Sequence, residues 1–224
     1  MHGKSSGITS GVEQAPPQPP ISIHSRNNYS HPKKTMVGTV NNNGNSLGTI
    51  GTKPTLLDLT KTTPMRFLIM DAPRQSNLHL YIKEMRRHSV TDVVRVCEPT
   101  YQGTELSQAG MVLHDMEYPD GHSPPQPVID EWLQLVDKVF YANPSTSSTE
   151  HKCISVHCVA GLGRAPVMVA IAMIEFGNYD PVEAVSIIRK HRRGAINEKQ
   201  LLYLEGYKKT YRKSHAEAGC CVIS

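Results

Sequence analysis

Apolar side chains are unevenly spread along this chain, and their spacing separates it into two parts. Up to about residue 50 there are few large apolar residues and no aromatic except Tyr29. Ser, Gly, Asn, Gln and Pro predominate, as in PPQPP at 16–20 and NNNGN at 41–45. Such a segment cannot bury enough surface to offset its ordering entropy, so disorder is expected there. Beyond it, short apolar runs alternate with stretches of helical periodicity. Met65–Met70 predicts a first strand, and Leu78–Arg87 a helix with Leu78, Ile82 and Met85 on one face. Val90–Val96 is dense in β-branched apolar residues, as a buried parallel strand is, and Gly110–His114 reads as another short strand. Ile129, Trp132, Leu133, Val136, Val139 and Phe140 follow helical spacing and belong to the core. Ala165–Phe176 is apolar all round, which predicts a buried helix.

Two later helices carry start signals. Asp180-Pro181-Val182-Glu183 combines a cap, a first-turn proline and a carboxylate at capping-box spacing. Asn197 with Gln200 repeats the box, and Ile196 with Leu201 suits a hydrophobic staple. Strands alternating with helices predict an α/β fold, a mainly parallel central sheet flanked by helices. Ligands in such folds sit beyond the carboxyl ends of the strands, where Cys97 and Cys158 both fall. The organisation expected is a disordered extension over 1–53, one domain over 54–213 and a tail over 214–224.

Composition narrows the classes. The net charge of +4 is modest, and basic residues concentrate at Arg189–Arg193 and Lys208–Lys213. By themselves such runs read as solvated faces. No nucleic-acid module or aromatic platform accompanies them, so nucleic acid is not an expected partner. Five irregularly spaced cysteines argue against a secreted disulfide framework and for a reducing cytosol. The first fifty residues lack the apolar stretch of a signal peptide or membrane span, and arginine is too scarce for a transit peptide.

The chemistry sits in Ile154–Pro166, Ile-Ser-Val-His-Cys-Val-Ala-Gly-Leu-Gly-Arg-Ala-Pro. A short apolar strand delivers His157 and Cys158 into a loop of Val159, Ala160, Gly161, Leu162 and Gly163, and Arg164 opens the apolar helix. Glycines permit the tight turns by which backbone N–H groups wrap a phosphate. The helix start adds its positive dipole end. Arg164 can grip two phosphate oxygens with its planar fork. The same field stabilises a thiolate at Cys158, which makes it a nucleophile. No second Cys-x2-Cys or His-x3-His pair supports zinc, and no metal or other cofactor is expected. A departing ester oxygen needs a proton, and an Asp on a mobile loop is the usual donor. The 115–121 stretch, Asp-Met-Glu-Tyr-Pro-Asp-Gly, offers Asp120 and, as a rival, Asp115.

His-Cys-x-x-Gly-x-Gly-Arg is the signature of cysteine-dependent protein tyrosine phosphatases. The fuller string HCVAGLGRAP resembles the phosphatase of regenerating liver family, as do PMRFLIM (64–70), VVRVCEPTY (93–101), RRGAIN (192–197) and KQLLYLE (199–205). The resemblance covers about 54–224. It implies the dual-specificity-type fold and hydrolysis of phosphate monoesters on phosphoproteins or phosphoinositides. The family's acid loop reads Trp-Pro-Phe-Asp-Asp-Gly, which puts the acid at Asp120. This chain departs from it at Met116, Glu117 and Pro119. The resemblance also implies a reversible Cys97–Cys158 disulfide and a role for Glu98 in orienting Arg164. Ala165 stands where most tyrosine phosphatases have Ser or Thr, so slow breakdown of the phosphocysteine is expected. Family members bind the CBS-pair domains of cyclin-M magnesium-transport mediators, which makes a docking role the alternative to turnover. Oligomeric state stays open, a homo-oligomer included.

Cys221-Val222-Ile223-Ser224 fits a C-a-a-X box, with serine favouring farnesyl on Cys221. One lipid anchors marginally; Lys208, Lys209, Arg212 and Lys213 supply a second, electrostatic attraction to an anionic membrane surface. The expected location is the cytoplasmic face of plasma or endosomal membranes, with a soluble pool.

Overall fold

The computed structural model describes residues 49–142 and 152–211. Five strands, β1 (Thr55–Asp58), β2 (Arg66–Met70), β3 (Val90–Arg95), β4 (Val112–Asp115) and β5 (Cys153–His157), form one sheet in the order β1-β2-β5-β3-β4. β1 is antiparallel to β2, and every other pairing is parallel. Parallel neighbours need crossovers. Helix α1 (Leu78–Arg87) joins β2 to β3, α2 (Thr104–Gln108) joins β3 to β4, and α3 (Gln126–Phe140) precedes β5. Helices α4 (Arg164–Gly177), α5 (Pro181–His191) and α6 (Glu198–Glu205) complete the chain. The mainly parallel sheet between helices is the expected fold class.

The two-residue period of β2 feeds both faces. Phe67 and Ile69 join a core with α3 and α4, whereas Leu68 and Met70 join a second core with α1 and α2. β5 is buried along its whole length at the centre of the sheet. Its one hydroxyl, on Ser155, donates to the Leu68 carbonyl at 3.2 Å. Every residue of α4 from Arg164 to Phe176 is buried, which explains why that segment shows no polar stripe. The Trp132 indole N–H pins α3 to it, donating to the Met168 carbonyl at 2.8 Å.

Asp180 accepts the Val182 N–H as the cap of α5, and Asn197 with Gln200 closes the reciprocal box of α6. Two elements were not anticipated, β1 and α2, and both are too short to show a period. The strand expected from Gly110 starts at Val112. Gly110 instead takes φ +80° to end α2, with Met111 N–H donating to the Leu106 carbonyl. The domain also begins earlier than Pro54. Thr49 O accepts from Asn77 Nδ2, Gly51 N–H donates to Tyr81 Oη, and Thr52 N–H donates to Asp71 Oδ2. Residues 49–53 are thereby tied to the start of α1 and the end of β2. At the other end, buried Glu175 accepts from both Tyr207 Oη (2.8 Å) and Thr210 N–H (2.9 Å) through Oε1. That clasp holds the last described residues against α4.

Candidate active site

Residues 158–163 leave the end of β5, the central strand, and return as α4, so the loop lies where the sheet and a helix start converge. Its conformation is set from outside. The Val159 carbonyl accepts Ala72 N–H at 3.1 Å, and the Leu162 carbonyl accepts Ile196 N–H at 2.8 Å. Arg192 covers the two between, donating from Nη2 to Ala160 O (3.1 Å) and from Nε to Gly161 O (2.6 Å). Gly163 O accepts Val167 N–H at 3.2 Å. In a trans peptide the C=O and N–H point opposite ways. Five carbonyls drawn outward therefore present amide N–H groups to the hollow, and the helix start adds its own unpaired donors. Gly161 has φ +66°, and a Cβ there would stand 2.2 Å from Met70 O. No other residue fits.

The hollow encloses about 320 Å³ and brings Cys158, Arg164 and Asp120 together, with Gln200 on its wall. Arg164 is 1% exposed. Its Nη1 donates to Tyr118 O at 3.0 Å, and the Tyr118 hydroxyl returns a bond to Arg164 O at 3.0 Å. The Asp120 carboxylate lies 3.2 Å from Arg164 Nε, too oblique for a hydrogen bond, so Nε keeps an unused donor. Glu98 approaches Nη1 at 3.8 Å. An exposed Asp120 thus faces a buried guanidinium within the hollow. Asp115, the rival acid, is drawn away: Arg95 holds both of its oxygens.

Beneath Cys158 lies a second network. His157 Nε2 meets Tyr101 Oη at 2.7 Å, Arg95 Nη1 donates to Tyr101 O at 2.7 Å, and the Arg95 guanidinium lies 4.8 Å above the Tyr101 ring. Burial, then the Arg95 charge, pushes the His157 pKa from 6.5 to about 3. The imidazole is neutral at physiological pH. Burial is also the main cause that pushes the Cys97 thiol up to about 11. β3 and β5 are in register at Arg95 and His157, so Cys97 and Cys158 both lie just past adjacent strand ends, each as a free thiol.

Three residues of the site carried no role in the sequence reading. Arg192 sits in a basic run that reads as a solvated face, yet it is 4% exposed and organises the loop. Tyr118 lay inside the acid-loop motif without a role. Gln200 was read only as a capping residue; the box that fixes its Oε1 also sets its amide beside Gly163. Among the described polybasic residues, Lys208 is exposed and Lys209 Nζ donates to Asn178. Arg212, Lys213 and the lipidation candidate Cys221 lie outside the described residues, as does nearly all of the 1–53 extension.

Residues 72–205 match the protein-tyrosine phosphatase family. Among curated proteins, the PRL-1 phosphatase of Drosophila melanogaster is 47% identical over 152 residues, 67% of this chain and 82% of that one. Protein tyrosine phosphatase type IVA 3 of Mus musculus is 44% identical over 165 residues, 71% of this chain and 91% of that one. Among solved structures, a protein tyrosine phosphatase of Leishmania major superposes with a TM-score of 0.65 at 40% identity, covering 70% of this chain and all of that one.

Two outcomes follow from the site's construction. Arg192→Met removes the donors of two loop carbonyls, so stability should fall by about 3 kcal/mol and phosphate binding should be lost. Thermal melting with and without inorganic phosphate checks this, since only an intact loop melts higher in its presence. His157 contributes stability that is complete above pH 6.5. It is lost as pH falls toward 3, because the unfolded chain takes up a proton that the folded one refuses. Between pH 6.5 and 4.5 the wild type should lose up to about 1.4 kcal/mol per pH unit on this account. His157→Asn should flatten that slope in urea titrations.

Proposed function

This chain belongs to the protein tyrosine phosphatases, in the type IVA or PRL branch, and is a protein-tyrosine-phosphatase; from that premise we propose that Cys158, Arg164 and Asp120 carry its chemistry. The observation that supports this most is the outward tethering of five consecutive loop carbonyls around an unused Arg164 donor. The amides of 159–164 and the Arg164 fork bind the three non-bridging oxygens of a phosphate monoester. Cys158 Sγ attacks phosphorus and the ester oxygen departs with the proton of Asp120, leaving phosphocysteine. A water then attacks that intermediate, giving its proton to Asp120 and releasing inorganic phosphate. Ala165 is fully buried and has no hydroxyl to stabilise the departing thiolate, which makes the second step the slow one. Peroxide, reduced to water by the two electrons and two protons that the thiols give up, joins Cys97 and Cys158 in a disulfide, the off state that a dithiol reverses. Glu98 steadies Arg164 from the solvent side of the hollow.

The substrates are phosphoproteins, with phosphoinositides the competing class of monoester. Farnesyl on Cys221, with Lys208, Lys209, Arg212 and Lys213, holds the enzyme on the cytoplasmic face of anionic membranes. A second reading, docking of the CBS-pair domains of magnesium-transport mediators on the same face, draws on one observation. Val159 and Leu162 are 57% and 37% exposed on the loop, an apolar rim around an anion-binding hollow. An acidic partner segment with apolar flanks suits that surface.

Rapid-quench kinetics with a radiolabelled phosphopeptide should trap phosphoenzyme in the wild type and none in Cys158→Ser. Ala165→Ser should shorten its lifetime several-fold. Equal lifetimes would show that the missing hydroxyl is not the brake. For location, Cys221→Ser should move the protein from membrane to soluble fractions. If it still sediments with membranes, the anchor is not the lipid.

A further inference from the structure

The loop that bears Asp120 is fastened to the arginine it faces by two opposed hydrogen bonds. Tyr118 Oη donates to the Arg164 carbonyl, and Arg164 Nη1 donates to the Tyr118 carbonyl, each at 3.0 Å. Tyr118 is 2% exposed and Arg164 1%. The two bonds differ in what substrate does to them. A phosphate in the hollow competes for the guanidinium, and so for the Nη1 bond and for the ion contact between Nε and Asp120. It does not reach the bond from the Tyr118 hydroxyl, because Tyr118 is buried and is not among the residues that line the hollow. Asp120 itself is 76% exposed and followed by Gly121 at φ +71°. Once the arginine turns to phosphate, little else near Asp120 restrains it. Its neighbour His122 contacts Asp120 O and Pro119 O, both of which travel with the loop.

We propose that Tyr118 is a positioning residue: its hydroxyl keeps the 115–121 loop closed over the hollow when substrate releases Asp120 from Arg164. The released carboxyl then swings about Pro119 and Gly121 and stays within reach of the leaving oxygen. The resembled family's loop has phenylalanine at this position, so Tyr118 is a further departure beside those at 116, 117 and 119, and phenylalanine makes no such bond. The proposal rests on the assignment of Asp120 as general acid.

The test is Tyr118→Phe, which removes one oxygen, measured as kcat/KM across aryl phosphates whose phenols range from strongly to weakly acidic. kcat/KM reports the steps through phosphocysteine formation, so a slow second step does not mask the effect. An acid matters most for the poorest leaving group. Losses of about fivefold to tenfold are expected there, the size of one buried hydrogen bond, and little change for the most acidic phenol. Asp120→Ala should steepen the same dependence further. Adding Tyr118→Phe to Asp120→Ala should cost less than about twofold more, because the hydroxyl acts through that carboxyl. A uniform loss along the series, or losses that multiply in the double variant, would overturn the proposal and leave Tyr118 a packing residue. Asp120→Ala with the wild-type dependence sinks the acid assignment and this proposal with it. A steepened Asp120→Ala beside an unaltered Tyr118→Phe sinks this proposal alone.

Discussion

The site depends on the direction of a few peptide groups. Val159 to Gly163 must all send their carbonyls away from the hollow, a conformation no loop keeps unaided, since each carbonyl needs a partner when buried. The partners come from four places: the Ala72 N–H past β2, the Val167 N–H in α4, the Arg192 side chain at the end of α5, and the Ile196 N–H before α6. Helix α5 thus shapes the hollow from outside through Arg192, while Gly194 and Asn197 of the turn after it line its wall. Ile196 shows what this demands. A β-branched residue sits at φ +60° while its N–H holds Leu162 and its carbonyl accepts from Arg189 at 2.7 Å.

Two buried arginines divide the work. Arg192 spends its donors on neutral acceptors, the carbonyls of Lys53, Ile69, Ala160 and Gly161 and the Thr55 hydroxyl, and is fixed by them. Arg164 is anchored by one bond and keeps Nε unused. The difference suits a frame and a ligand-binding group. A neutral His157 beside Cys158 belongs to the same economy of charge. It ties Tyr101 and the 97–103 loop to β5 without adding a cation beside Arg95.

How far the sequence carried the reading depended on the range of the contacts. Residues 158–164 were legible because strand, turn, arginine and helix follow one another within a dozen positions. Helix α1 came out residue for residue, since Leu78, Ile82 and Met85 repeat on one face. β1 was not legible: only Leu57 of its four residues is buried, and its partner lies across a turn. The residues alone left Asp115 as a rival to Asp120, the acid that the family loop indicates, because the group that claims Asp115, Arg95, is 20 residues away. Arg192 and Tyr118 were illegible as site residues for the same reason. Their partners are 31 and 46 residues distant, and a basic run or an aromatic in a loop has no pattern that announces such contacts.

The clasp at Glu175 has a mechanical consequence. Helix α4 starts at the phosphate loop and runs 14 residues, roughly 20 Å at the rise of an α-helix, before the chain turns back. Tyr207 and Thr210 are fastened near its far end, so the chain leaves the domain at the opposite pole from the catalytic hollow. The mouth that admits substrate and the point where the chain leaves α4 are thus kept a helix length apart, so a load taken up at one end need not disturb the other.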